Sequence, residues 1–210
     1  MTLKERYAGV IGWFEANMPV AESELQYKDP YQLLVAVILS AQCTDKRVNM
    51  TTPALFEAYP TPEAMAQATV EEIYAYIKSI SYPNNKARNL AAMARMLCTE
   101  FGGVVPSDLD ALQRLPGVGR KTANVVLSVG FGHQRIAVDT HVFRVSNRIG
   151  LVDEKDVLST EKALMKVIPE DQWTVNHHRL IWHGRTLCTA RKPQCGECPL
   201  LGICLQKMGK

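Results

Sequence analysis

The sequence has no apolar run long enough to span a membrane. Its start, Met1-Thr-Leu-Lys-Glu-Arg-Tyr7, lacks the apolar centre of a secretory signal. There is no internal repeat, no low-complexity linker and no segment with the regular alternation of a sheet. These absences argue against a membrane protein, a secreted protein, a repeat array and a sheet-based fold. A cytoplasmic protein is expected. Acidic residues are also scarce in two places. Over residues 114–148, Arg114, Arg120, Lys121, Arg135, Arg144 and Arg148 face Asp139 alone. From His177 onward, Arg179, Arg185, Arg191, Lys192, Lys207 and Lys210 face Glu197 alone. Two such basic regions fit a polyanionic partner, because each phosphate neutralised releases counterions. A solvated surface is the plainer alternative.

What is present is helical. Of 210 residues 47% are hydrophobic and 21% charged, enough for one large domain or two small ones. Leu3, Tyr7, Val10, Ile11 and Phe14 share one helical face. Residues 33–39 suit a buried strand or a buried helix. Asp29 as N-cap with Pro30 at the first position favours the helix. Helical patterns also cover residues 70–77, 86–97, 120–129, 140–149, 156–168 and 171–187. Ser81-Tyr-Pro-Asn-Asn85 reads as a turn, and Ser107 as the cap of a further helix. The expected fold class is all-α, with roughly ten helices.

Leu115-Pro-Gly-Val-Gly-Arg-Lys-Thr-Ala-Asn124 places two glycines between helical patterns. Gly117 and Gly119 permit unusual backbone angles and close approach of a ligand. The amides there, at the start of the next helix and beside Arg120, make a site for one phosphate. A plain tight turn is the bland alternative. Lys121 falls in the first turn of that helix, where the dipole disfavours a cation and partial burial would favour the neutral amine. A neutral lysine is a nucleophile suited to Schiff-base chemistry; a phosphate-binding lysine is equally compatible. Residues 130–138 read as an extended return leading to Val138-Asp-Thr-His141. Asp139 is placed to cap the following helix, to stabilise positive charge on a sugar, or to accept a proton from the lysine. His141 reads as structural, and Asp45 as a helix cap.

Cys188, Cys195, Cys198 and Cys204 follow the spacing C-x6-C-x2-C-x5-C within seventeen residues. In a cytoplasmic chain that density points to a metal centre rather than disulfides. Zinc usually takes two close C-x2-C pairs; one pair with wider loops leaves room for a [4Fe–4S] cube. Spacing alone leaves both open. Cys43 and Cys98 read as ordinary buried thiols. His177, His178 and His183 are not expected to be ligands.

The hairpin, Val138-Asp-Thr-His141 and the cysteine spacing together resemble the endonuclease III family, the iron–sulfur branch of the helix-hairpin-helix DNA glycosylase superfamily. The resemblance runs from Leu34-Val-Ala-Val-Ile-Leu-Ser-Ala-Gln42 to Cys204. It implies two helical domains flanking a DNA-binding cleft: a six-helix barrel over residues 21–132, and a cluster domain made of 1–20 plus 133–210. It implies Lys121 as nucleophile, Asp139 as catalytic carboxylate, and the four cysteines as ligands of a [4Fe–4S] cluster. Gln42 matches the residue that fills the gap left by an extruded base. Tyr82 stands where the family often carries a small aliphatic wedge, usually leucine, and an aromatic ring there can stack on the orphaned base. Arg191 and Lys192, with Gly117, Gly119 and Arg120, complete the expected DNA contacts.

The implied activity is a base-excision glycosylase with lyase activity. It removes damaged pyrimidines from duplex DNA and cuts 3′ to the abasic site through a lysine Schiff base. The partner is double-stranded DNA with damaged bases or abasic sites, the enzyme a monomer, and its place the bacterial cytoplasm, at the nucleoid in use. The alternatives are a mismatch (adenine or thymine) or photodimer glycosylase of the same superfamily, or a non-catalytic iron–sulfur DNA-binding protein. Adenine-specific relatives generally lack the lysine and carry a further C-terminal domain, for which the six residues after Cys204 leave no room.

Overall fold

The structure is a computed structural model, described here for residues 1–206. Lys207 and Lys210 of the basic tail lie outside the described residues. Among those described there are eleven α-helices and no strand. No helix among them is long and apolar enough to cross a membrane. The chain divides into two compact units, one of Glu24–His133 and one of Met1–Ser23 with Gln134–Lys210.

The Glu24–His133 unit is built on α2 (Pro30–Ser40). Every residue from Tyr31 to Leu39 is buried, as expected of a helix that is apolar all round. Asp29 caps it by accepting from the Gln32 amide at 2.8 Å, and Pro30 occupies the first position. The open choice at residues 33–39 is therefore settled for helix. Around α2 lie α3 (Asp45–Ala58), α4 (Pro62–Gln67), α5 (Val70–Ile77), α6 (Pro83–Phe101), α7 (Leu109–Arg114) and α8 (Arg120–Val125). Leu33, Leu34, Leu39, Leu55, Ile73, Met93 and Leu97 are fully buried here.

Several boundaries differ from the sequence reading. The turn at residues 81–85 is shorter, because α6 already begins at Pro83, where the fixed φ of proline suits a first helical position. Asp108, not Ser107, caps α7, by accepting from Ala111 N at 2.9 Å. Thr44 caps α3, leaving Asp45 in its first turn, where a carboxylate still complements the dipole. The helix after the glycine hairpin is α-helical only to Val125 and continues as a π-helical turn over Val126–Gly130.

The other unit packs α1 (Leu3–Asn17), α9 (Thr140–Ile149), α10 (Val157–Val167) and α11 (Trp173–Thr186). Val10, Ile11, Phe14, Val142, Val145, Leu164, Leu180 and Leu200 form its core. Leu3, expected on the buried face of α1, is exposed at its first position. Arg6 takes a buried place instead, donating to the carbonyls of Ile203 at 3.0 Å and Gly150 at 3.4 Å. Those bonds tie α1 to the cysteine loop and to the end of α9. Gly184 lets α9 and α11 approach closely: a Cβ there would lie 3.0 Å from Val145 and 3.1 Å from the His141 Cβ.

Candidate active site and nucleic-acid interface

In the hairpin, the Val118 amide bonds the Leu115 carbonyl at 3.0 Å around Pro116 and Gly117. Gly117 has φ +82°, the torsion a turn with proline second and glycine third requires. A Cβ on it would also come within 3.0 Å of Asn89. Gly119 differs from expectation. Its φ of −85° is open to any residue, so torsion does not demand glycine there. What it offers is open space, with nothing within 4 Å of where a Cβ would lie, and a helix start with no side-chain cap. A phosphate can approach such a backbone.

Lys121 is the second residue of α8 and is exposed, so burial does not add to the dipole in favouring the neutral amine. The dipole of α8 disfavours an ammonium at that end. Lys121 belongs to the Glu24–His133 unit and Asp139 to the other. Asp139 is the N-cap of α9 and half-buried; its Oδ1 accepts from the amides of His141 and Val142, each at 2.8 Å. Its Oδ2 accepts no hydrogen bond among the described residues. The His141 ring lies 3.3 Å from an Arg144 nitrogen, so its partner is structural and is not the carboxylate.

The four cysteines line one pocket, together with Arg148, His183 and Leu200. Burial pushes the thiols of Cys198 and Cys204 up, and the neighbouring cysteines push them further. Four thiols crowded in this way need a bound cationic centre to be held as thiolates. N–H groups aimed at sulfur are also in place. An Arg148 nitrogen is 3.8 Å from the Cys188 Sγ, and the Gln206 amide donates to the Cys204 Sγ at 3.3 Å. The His183 ring lies 3.7 Å from the Cys198 Sγ, with its pKa lowered to about 4 by burial. The donor set fits an iron–sulfur cluster. Arg191 and Lys192 are exposed on the loop between the first two cysteines.

The count of basic residues overstates the free charge. Arg148 is buried, donating to the carbonyls of Thr189 at 2.8 Å and Ala190 at 2.9 Å. Arg144 donates to the carbonyls of Gly184 at 3.0 Å and Cys188 at 2.9 Å. Arg179 is buried against the Met18 carbonyl, and Arg114 pairs with Glu100. Arg144, Arg148 and Arg179 staple the fold, whereas the Arg114 pair is exposed. Charge counting places all four on a basic surface because main-chain carbonyl partners carry no sequence signal.

Gln42 and Tyr82 are both exposed. Both are non-glycine residues in left-handed backbone, with φ 53° and 56°. Such torsions are rare and concentrate at functional sites.

Residues 35–170 match the family model of the HhH-GPD superfamily base excision DNA repair proteins, and residues 188–204 match the iron–sulfur binding domain of endonuclease III. The chain is 53% identical over 187 residues to endonuclease III of Bacillus subtilis (strain 168), covering 89% of this chain and 85% of that one. It is 48% identical over 191 residues to endonuclease III of Escherichia coli (strain K12), covering 91% of this chain and 90% of that one. Among solved structures it resembles a trapped endonuclease III–DNA covalent intermediate, an estranged-adenine complex, with TM-score 0.94, 48% identity, and coverage of 98% of this chain and 97% of that one. A [4Fe–4S] cluster is the cofactor that the matched iron–sulfur domain and these relatives indicate. The chain therefore belongs to the endonuclease III family, within the HhH-GPD superfamily of base excision DNA repair proteins.

Proposed function

We propose that this protein is a bifunctional base-excision enzyme that removes damaged pyrimidines from duplex DNA and then cuts the strand 3′ to the abasic site. What carries the reading is the likeness, over 98% of the chain, to an endonuclease III held covalently on DNA. The residue roles are assigned on this chain's own features. A lesion that has lost aromatic stacking costs less to extrude, so damage is partly selected at that step. Gln42 occupies the space the base leaves, and Tyr82 stacks on the orphaned partner base. The hairpin at Gly117 and Gly119, with Arg120, holds a phosphate; Arg191 and Lys192 hold others.

Lys121 Nζ, as the neutral amine, attacks the anomeric carbon, and the base departs with the bonding electrons. Loss of a proton from nitrogen and opening of the sugar give the Schiff base. Removal of a C2′ proton then expels the 3′-phosphate. Asp139 offsets the positive charge that builds on the sugar, with Oδ2 directed to that task while Oδ1 caps α9. Cys188, Cys195, Cys198 and Cys204 hold the cluster, which when bound fixes the loop bearing Arg191 and Lys192. The domain assignment proposed is a barrel over residues 21–132 and a cluster domain of 1–20 plus 133–210. The enzyme acts as a monomer in the cytoplasm.

Borohydride should trap a covalent adduct between the protein and DNA carrying an oxidised pyrimidine. Lys121→Ala should abolish trapping while leaving duplex binding within about threefold, since phosphate contacts dominate affinity. Undiminished trapping by that variant removes Lys121 from its role.

A further inference from the structure

Gln42 and Tyr82 lie forty residues apart in sequence. Gln42 follows Ala41, the C-cap of α2, and Tyr82 is the residue from which α6 starts. A left-handed torsion at an ordinary residue persists only where its surroundings hold it. One side chain reaches both segments. Lys86, in the first turn of α6, is only 6% exposed. Its ammonium donates to the Leu39 carbonyl at 2.8 Å and the Ala41 carbonyl at 2.6 Å. Its backbone N–H donates to the Tyr82 carbonyl at 3.2 Å. Carbonyls at the end of α2 lack helical partners, and the dipole there favours a cation. A lysine in a helical pattern ordinarily keeps its charge in water. This one is buried among carbonyls instead, and burial lowers its pKa.

We infer that Lys86 is a positioning residue: it clamps the end of α2 to the start of α6 and so fixes Gln42 and Tyr82 relative to each other for strand opening. The inference rests on the proposal that both residues enter the duplex. Lys86 touches neither the substrate nor the reacting atoms. Its loss therefore impairs extrusion from a duplex and spares chemistry on a sugar that needs no extrusion.

The test is a mutant cycle on the cluster-loaded protein, read as borohydride-trapping rate on an abasic site in duplex and in single-stranded DNA. Lys86→Met should slow trapping on the duplex about tenfold while changing the single-strand rate less than about twofold. Combined Gln42→Ala and Tyr82→Ala should slow the duplex reaction comparably. Adding Lys86→Met to that pair should then slow it no further. A lysine that only stabilises the fold would lower both substrates equally, or add its effect in full to the pair, and either result overturns the inference. So does a Lys86→Met protein with wild-type duplex rates. If Lys86→Met does not fold, Lys86→Gln, which retains an N–H donor group without the charge, takes its place in the cycle. Wild-type protein that traps neither strand overturns the enzymatic reading and this inference together; loss confined to the cycle overturns this inference alone.

Discussion

Asp139 caps α9, and the proposed catalysis gives it a second task on its other oxygen. Oδ1 caps α9 through the amides of His141 and Val142, and Oδ2 has no hydrogen bond among the described residues. The tasks separate by substitution. Asparagine caps a helix as well as aspartate does, so Asp139→Asn should lose only the charge–dipole contribution, about 0.3–1 kcal/mol. Asp139→Ala should lose the cap as well, about 1 kcal/mol. Base release should fall at least about a hundredfold in both variants. Urea unfolding alongside single-turnover excision checks this; full activity in Asp139→Asn would leave the residue a cap only. The Asp139 cap and the cysteine loop are legible in the sequence because each is tied to a short motif. Arg144, Arg148 and Lys86 are not. Their partners are main-chain carbonyls, which every residue carries, so no pattern marks them.

At the scale of elements, helices with strong caps are the ones the sequence discloses. Asp29, Asp139 and Asp156 each cap the helix they precede. Ser107 and Asp108 are both good capping types, and pattern does not choose between neighbours; the structure chooses Asp108. Thr44 and Thr61 also cap the helices they precede, yet Pro53 interrupts α3 and α4 is only six residues long, so neither shows a sustained helical pattern. The π-helical turn at Val126–Gly130 is a tertiary feature, packed where a Cβ on Gly130 would come 2.8 Å from Leu33.

The start of α6 is the element most at odds with local preference. Tyr82 is left-handed although it precedes Pro83, a position normally extended. Tyr82→Gly removes a penalty of about 1–2 kcal/mol and adds about 0.5–1 kcal/mol of chain entropy. Because the ring is 62% exposed, little packing is lost. Stability should therefore hold level or rise, by up to about 1.5 kcal/mol, seen as an unchanged or higher urea midpoint. The same variant should bind an abasic-site duplex about 1–3 kcal/mol more weakly, through loss of stacking. A variant that is both less stable and equally tight in binding would mean that the torsion holds no functional strain.

For the whole molecule, periodicity established the all-helical class but not which helices pack together. Arg6 joins α1 to the cysteine loop through Ile203, a contact between the two ends of the chain, and to the end of α9 through Gly150. Net charge was similarly incomplete as a guide: the +3 total includes arginines buried as staples, while Arg191 and Lys192 are exposed. The family and its cofactor account for the cysteine loop. What remains to be tested at this scale is whether the protein joins covalently to DNA through one particular amine. Borohydride reduction on an oligonucleotide with a single oxidised pyrimidine, followed by proteolysis and mass-spectrometric mapping, reads that bond directly. A reduced sugar adduct is expected on the peptide containing Lys121, on its Nζ and nowhere else. An adduct on another residue, or none while base release proceeds, would contradict the role of Lys121.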